Sequence, residues 1–466
     1  MRGSRTAVLR APVFVFLLSL TFVLALHHWG RGVEADGLYH QPVTSDALMQ
    51  ALPVVELRDK PFASLWYLHK QPPGYDLIRL LIVQVHRGVT DPVRLLAQVD
   101  ATLYRVWAVL LALQCALMFT WLRALTGNTW VGLVASGLWL VYPGALFCAT
   151  FFDPTLLSSL VVFWFSYELW RLSRAPQGSV MPLALAGVAM FYVRSFYQWY
   201  FFFVPVLCLV LLRVPRAAIV KYATVTALLV VPFLAKQYAL FGWVETSSIA
   251  GYHYCGVMWY RPTFEQMALA SKHLRFDYPE GAKAVRDVFN TEEQYRYNLI
   301  FQWICKRHFR KHPRQAMRKI LGSMEMNLAS ALEPVSSYRP TPMIDRLPWR
   351  AGFDAATSGV ALVAALCVGV SLWVGRMIHG AWAGGGTDTW RRAVALALPV
   401  AYTLFLLSVG NRYDWQEANR LRFILDPICF VFVVSQLWWF AAAVYRRYGP
   451  AGDGAAASAR NVGSSG

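Results

Sequence analysis

The fold class is decided by residues 103–124, LYRVWAVLLALQCALMFTWLRA, an apolar stretch with charged residues only near its two ends. A run of about 20 apolar residues is long enough to cross the hydrocarbon core of a bilayer as an α-helix. The whole chain of 466 residues has the same character, because 57% of its residues are apolar and only 15% are charged. A soluble globular protein of this size needs more polar surface, so the sequence predicts an all-α, polytopic transmembrane bundle.

Further apolar segments bring the predicted number of spans to about ten. These segments are residues 11–26, 129–148, 155–170, 180–193, 199–212, 217–235, 355–375, 393–409 and 423–444. Lys and Arg concentrate in every second gap between the segments, as in the cytoplasmic loops of membrane proteins. The net charge of +18 is therefore attributed mainly to orientation in the membrane, and no nucleic-acid partner is predicted.

The segments divide the chain into four parts. An N-terminal transmembrane core, residues 1–235, contains a long first loop, residues 27–102. It is followed by a polar region, residues 236–354, by C-terminal transmembrane helices, residues 355–448, and by a tail, residues 449–466, whose Gly, Ala and Ser content is typical of disorder. Both the first loop and the polar region are predicted to lie on the outer side of the cell membrane.

The polar region is predicted to contain helices at Glu265–Leu274, Glu292–Lys311 and Pro313–Leu332. Seven basic residues fall within residues 306–319. They suit an amphipathic helix that lies on lipid headgroups, and they equally suit cations that hold an anionic lipid substrate. Cys255 and Cys305 also lie in this region, and a disulfide between them would require an oxidising compartment.

The first loop contains two polar motifs, Ser45-Asp46-Ala47 and, about 24 residues later, His69-Lys70-Gln71-Pro72-Pro73-Gly74-Tyr75. Asp46 has two interpretations. It can cap a helix that starts at the next residues. Alternatively, its carboxylate can take the proton of an acceptor hydroxyl as a general base, an effect worth roughly 10²–10⁴-fold in rate.

Together these motifs resemble the GT-C class of membrane glycosyltransferases, in particular the protein O-mannosyltransferase and aminoarabinose transferase branch. In that class an Asp motif follows the first transmembrane helix and a Lys-Pro-Pro-like motif closes the first outer loop. By motif position, Asp46 matches the catalytic acid, and His69 and Lys70 match the charged pair before Pro-Pro. The chain departs from the pattern at Ala47, where many relatives carry a second acid, and at Gln71, which separates Lys70 from the prolines.

The resemblance implies an inverting glycosyltransferase that moves a sugar from a polyprenyl-phosphate carrier to a glycan, lipid or protein acceptor. It further implies a multi-pass protein of a bacterial inner membrane whose active site faces the periplasm or the cell exterior. Its direct partners would be the polyprenyl-phosphate-linked sugar, the acceptor and the surrounding membrane lipids.

Cations placed where negative charge grows on the departing phosphate would lower the barrier of this reaction. The candidates are Lys70, Arg194, Arg420 and Arg422. The last two belong to residues 411–423, NRYDWQEANRLRF, which resemble a Glu-x-Asn-Arg-x-Arg-Phe stretch that many bacterial GT-C-like proteins carry before their last helix. Glu417 would hold this phosphate clamp in shape through an ion pair.

Asp153 and Arg194 complete the predicted cavity, and each has a structural alternative. Asp153 precedes Pro154 at the start of a predicted span, where it can cap the helix or bind hydroxyl groups of donor or acceptor. Arg194 can snorkel to the headgroups or point into the helix bundle.

Other chemistry lacks its sequence motifs, since GxxxxGK[ST], GxGxxG, HExxH, GxSxG and paired CxxC are all absent. No cofactor is required and no metal site is predicted, although a divalent ion bound by His69 and a nearby acid is an open alternative. Two rival functions are a transporter or lipid flippase, and a polysaccharide polymerase or ligase that lacks a carboxylate base. Transporters tend to have repeated halves, which this sequence does not show.

Overall fold

A computed structural model describes residues 5–33, 44–47, 51–248, 260–274, 276, 278–285, 287, 290–329, 369–374, 386–410 and 421–448. Within these ranges every regular element is helical, so the all-α prediction is confirmed for the described part of the chain. Arg420, Glu417, Cys255 and the tail after residue 448 lie outside the described residues.

Sixteen α-helices are named here, and residues 369–374 and 421–422 are helical as well. In chain order they are α1 Arg5–Val33, α2 Val54–Asp59, α3 Pro61–Trp66, α4 Gly74–Val85, α5 Pro92–Thr126, α6 Thr129–Val141, α7 Pro143–Thr150, α8 Thr155–Arg174, α9 Met181–Val193, α10 Phe203–Leu211, α11 Arg216–Phe241, α12 Phe264–His273, α13 Glu292–Lys311, α14 Pro313–Ala329, α15 Gly386–Gly410 and α16 Asp426–Tyr448. Short 3₁₀ turns occupy Ser45–Ala47, Trp199–Phe202 and Glu280–Ala284.

Five of the described helices are long and apolar enough to cross a membrane, namely α1, α5, α11, α15 and α16. The bent pair of α6 and α7, with an angle of 57°, makes a sixth if it forms one span. The predicted count of about ten spans is therefore not confirmed. The predicted spans 180–193 and 199–212 form short helices, and a helix of 13 residues such as α9 extends only about 20 Å against a hydrocarbon core of about 30 Å.

Other predicted spans differ from the structure in position or character. The segment 129–148 is broken at Pro143, which begins α7 directly after α6. The helix of segment 155–170, α8, has serines near its start and Glu168, Arg171 and Arg174 in its last turns, which lower its mean hydropathy. The segment 355–375 lies mostly outside the described residues.

The central helix is α5, whose ends are set by local sequence signals. The Asp91 carboxylate accepts the N–H of Arg94 at 2.9 Å, and Pro92 occupies the first turn, where its missing N–H costs nothing. Gly127 ends the helix in the left-handed conformation, with φ of 69°. Asn128 then caps α6. This tight turn folds α6 back along α5.

Apolar side chains form two main buried clusters. The first joins α1, α4, α5, α6 and α7 around buried residues such as Trp107 and Phe119. The second joins α8, α9, α10 and α15 around residues such as Phe165 and Tyr197.

The polar region contains the three predicted helices, as α12, α13 and α14. Cys305 on α13 is disulfide-bonded. This region packs on the first loop, since Lys60 donates to the carbonyl of Ala284 at 2.7 Å and Gln237 donates to the carbonyl of Leu68 at 3.1 Å. The first loop and the polar region therefore lie on the same side of the helix bundle.

Candidate functional site

Asp46 lies in the 3₁₀ turn Ser45–Ala47 of the first loop. Its carboxylate accepts the N–H of Val54, the first residue of α2, at 3.1 Å, and it pairs with the guanidinium of Arg79. The Asp46 side chain is 24% exposed, whereas that of Arg79 is fully buried. The carboxylate is thus held from inside the protein and open on its other side, as a general base requires. The same contact satisfies a free N–H at the start of α2, so Asp46 also caps a helix.

Asp76 and Arg79 on α4 form a buried ion pair beneath Asp46. Asp76 accepts Arg79 Nη1 at 3.2 Å, the N–H of Leu52 at 3.0 Å and the side-chain amide of Gln71 at 2.8 Å. Arg79 also donates to the carbonyl of Leu52 and to Ser45 Oγ, at 3.2 Å in the latter case. The sequence motifs did not indicate this pair. Its signal was an acid and a base three residues apart in an apolar helix, since a buried charge requires a partner.

Asp100 on α5 approaches Ser45 from a third direction. Its Oδ2 accepts the Ser45 N–H at 3.4 Å, and within the described residues its buried Oδ1 makes no hydrogen bond. Ser45 is therefore held by Asp100 through its N–H and by Arg79 through its hydroxyl. These contacts fix the backbone that carries Asp46.

The His69-Lys70 segment is buried beneath the polar region. The amide oxygen of Asn290 accepts the N–H groups of His69, at 3.0 Å, and of Lys70, at 3.3 Å. Lys70 Nζ pairs with Asp287 at 2.5 Å and donates to the carbonyl of Ala51 at 3.2 Å. The predicted phosphate ligand Lys70 is thus fully buried and faces a carboxylate.

The imidazole of His69 occupies an aromatic pocket. Its Nδ1 lies 3.1 Å from Ser248 Oγ, whereas its buried Nε2 makes no hydrogen bond within the described part of the chain. Three rings surround it with centroids 5.2–5.8 Å away: Phe241, Tyr278 and Tyr295. Burial, assisted by the charge of Lys70, lowers the pKa of His69 to about 3, so the ring is neutral at physiological pH. No group of three or more His, Cys, Asp or Glu side chains is arranged for metal binding among the described residues.

Asp153 and Arg194 form a second buried ion pair. Arg194 Nη2 lies 2.8 Å from Asp153 Oδ1, and its Nε donates to Ser158 Oγ at 2.9 Å. Asp153 also accepts the N–H of Thr155 at 2.8 Å and so caps α8. Arg194 points into the bundle instead of snorkelling, since it is buried and paired.

Tyr75 lies beside Arg79, whose guanidinium carbon is 5.8 Å from the centroid of the Tyr75 ring. It lies on α4, fully buried, and its hydroxyl makes no hydrogen bond within the described residues. Burial raises the pKa of Tyr75, and the charges of Arg79, Asp76, Asp153 and Asp100 also act on it. The co-location of Asp46 and Asp153 in one cavity stays a prediction.

Arg422 is held by Asp426 at the start of α16, through two hydrogen bonds of 2.8 and 2.9 Å. The sequence predicts Glu417 as the acid of this ion pair. Glu417 and Arg420 both lie outside the described residues. Within the described part, Arg422 Nη1 is buried and makes no hydrogen bond. The neighbouring carbonyl of Phe423 accepts Ser159 Oγ of α8 at 3.1 Å, which ties this segment into the bundle.

No protein family, curated protein or solved structure matches this chain.

Proposed function

We propose that this protein is a membrane-embedded inverting glycosyltransferase of the GT-C type, which transfers a sugar from a polyprenyl-phosphate carrier to an acceptor outside the cell membrane. The observation that carries the proposal is the geometry of Asp46. Its carboxylate is partly exposed and is held by Val54 and Arg79, whereas the carboxylates of Asp76, Asp100 and Asp153 are buried.

In the proposed reaction, Asp46 accepts the proton of the acceptor hydroxyl. The hydroxyl oxygen bonds to the anomeric carbon while the bond between that carbon and the phosphate oxygen breaks. The electron pair leaves with the phosphate, so the products are the glycosylated acceptor, the polyprenyl phosphate and protonated Asp46. Arg79, which is fully buried behind Asp46, positions the carboxylate and does not reach the substrate.

Lys70, Arg194, Arg420 and Arg422 remain the proposed ligands of the donor phosphate. In the described structure Lys70, Arg194 and Arg422 each face one carboxylate. Arg422 is buried, so a phosphate that binds it would share its guanidinium with Asp426.

The extracytoplasmic location is supported by the disulfide of Cys305, because disulfides persist in oxidising compartments. The helix that carries Cys305, α13, belongs to the polar region, which packs against the first loop. Asp46 lies in that loop. The same side of the bundle thus holds the disulfide and the proposed base.

The test is the Asp46→Asn variant of the full-length protein in lipid nanodiscs. Asn can still accept the hydrogen bonds from Val54 and Arg79, but it cannot take a proton. The donors are undecaprenyl phosphates that carry mannose, glucose or aminoarabinose, and a cell-envelope extract supplies the acceptor. We expect the rate at which undecaprenyl phosphate is released to fall by roughly 10²–10⁴-fold.

The matched control is Asp59→Asn, which changes an exposed carboxylate of the same loop and should leave turnover unchanged. Equal turnover by Asp46→Asn and the wild type contradicts the proposal. So does a wild type that releases no undecaprenyl phosphate from any of the three donors.

A further inference from the structure

Lys236 is an ionisable residue within α11, one of the helices long and apolar enough to span the membrane. Its Nζ donates to the carbonyl of Trp66 at 2.9 Å and lies 4.8 Å from the ring centroid of Phe233. No carboxylate of the described residues pairs with it. A charged group at such a position is costly and commonly marks a binding site. Within the described residues, no ion pair accounts for the positive charge of Lys236.

Lys236 lines a groove of about 690 Å³ between α3, α4 and α11. The other residues that line it are apolar or aromatic, and Lys236 is the only charged residue among the lining residues described. Phe62, Trp66 and Leu77 on its walls are exposed, although they are large and apolar. Exposed apolar walls are typical of a groove open to lipid or to an apolar ligand.

The charged end of this groove adjoins the predicted site. The residue after Lys236, Gln237, donates to the carbonyl of Leu68 at 3.1 Å. Lys236 and Gln237 thus hold the backbone directly before His69 and Lys70. Pro73 of the His69–Tyr75 motif also lines the groove, so the groove adjoins the loop that carries this motif.

We propose, resting on the proposed function, that this groove binds the isoprenoid chain of a polyprenyl phosphate with the phosphate at Lys236. The apolar walls suit one long hydrocarbon chain, and the single cation suits one anionic headgroup. The ammonium has three N–H donors, of which the Trp66 carbonyl uses one, so two remain for phosphate oxygens. The groove would hold the donor beside the first loop and limit its motion to the membrane surface.

A second groove of about 610 Å³ provides an internal comparison. It lies along another face of α11, between Phe203 and Ala227, and is lined by apolar and aromatic residues and by Thr226, with no charged residue among those described. It is of similar size and shares the same helix, but it lacks a cation. Lipid binding that depends only on apolar surface would use both grooves alike.

The test measures binding of undecaprenyl phosphate to the full-length protein in detergent by native mass spectrometry. Lys236→Met is expected to weaken binding by about tenfold or more, because a charge-assisted hydrogen bond is lost. Lys221→Met removes an exposed charge from the same helix and should bind as the wild type does. Leu77→Trp fills the charged groove and should also weaken binding, whereas Ala227→Trp in the second groove should not.

Three results would overturn the proposal. The first is equal binding of undecaprenyl phosphate by Lys236→Met and the wild type, and the second is equal binding of uncharged undecaprenol and undecaprenyl phosphate by the wild type. The third is displacement of undecaprenyl phosphate from the wild type by equimolar dioleoyl phosphatidic acid. If Lys236→Met does not fold, as judged by its thermal melt, Leu77→Trp and the undecaprenol comparison decide. Binding is scored without turnover. Lipid binding that depends on Lys236, without any sugar transfer, would therefore refute the transferase and retain the groove.

Discussion

The ion pair between Lys70 and Asp287 provides the sharpest test of how the first loop and the polar region are joined. Both side chains are buried, and their charged atoms lie 2.5 Å apart. Asp287→Leu leaves the Lys70 ammonium buried without its carboxylate. Loss of one partner of a buried pair costs about 3–5 kcal/mol, so we expect the free energy of unfolding to fall by that amount.

The assay is equilibrium unfolding in mixed detergent micelles of four proteins: the wild type, Lys70→Met, Asp287→Leu and the double variant. Each single variant strands one buried charge, whereas the double variant strands none. The double variant should therefore lose less stability than the sum of the two single losses, by more than about 1 kcal/mol. Additivity within about 0.5 kcal/mol would refute the inferred coupling.

The same double variant separates two functions of Lys70. If Lys70 serves only to hold Asp287, restored stability should bring restored release of undecaprenyl phosphate. If Lys70 binds the donor phosphate, as the first-loop motif predicts, turnover stays low in a protein that is stable.

Two further perturbations test the surroundings of this pair. His69 has a pKa of about 3 in the folded protein, below its ordinary value of 6.5, so below pH 6.5 the unfolded chain binds a proton that the folded chain does not. The contribution of neutral His69 to the free energy of unfolding is complete above pH 6.5 and is lost at about 1.4 kcal/mol per pH unit as the pH falls toward 3. In thermal melts between pH 7.5 and 4.5, the melting temperature of His69→Gln should therefore depend less on pH than that of the wild type. The control is His86→Gln, which changes a partly exposed histidine, and an equal pH dependence of the two variants would contradict this prediction. Gly74→Ala places a Cβ 2.5 Å from the backbone oxygen of Tyr192 and should lower the free energy of unfolding by about 1–3 kcal/mol, as seen in thermal melts. The control Gly137→Ala adds a Cβ with nothing within 4 Å and should be neutral or stabilising. Equal melting of the two variants would contradict the close packing of α4 on α9.

The helices were predictable to the extent that their signals are local. Asp91-Pro92 at the start of α5 and Gly127-Asn128 at its end are helix boundary signals that depend on a few neighbouring residues. Helices α12, α13 and α14 were similarly anticipated within a few residues. The number of spans was not, because hydropathy does not show whether a run such as 129–148 continues straight or bends by 57° at Pro143.

The site was predictable only in part, because its contacts are long-range. The importance of Asp46 followed from its motif, but its partner Arg79 lies 33 residues further along the chain, and Asp100, which accepts the N–H of the adjacent Ser45, lies 55 residues beyond that serine. The partner of Lys70, Asp287, is more than two hundred residues away, and no spacing rule indicates it. Sequence reasoning finds residues that are chemically unusual where they stand, whereas their pairing is set by tertiary packing.

These pairings change the interpretation of the positive charge. A phosphate can reach Lys70 or Arg194 only by sharing or displacing the carboxylate that each already faces, and a buried ion pair that loses its partner is destabilised by several kcal/mol. Lys236 carries no such restraint within the described residues, since its one polar partner is a neutral carbonyl. An anionic lipid that first binds at Lys236 therefore breaks no ion pair, and it would be held beside His69 and Lys70 before any exchange of partners is needed. Among Lys70, Arg194 and Lys236, all in the described part of the chain, Lys236 is therefore the cation that the proposal expects to bind a lipid phosphate first, although the motifs did not indicate it.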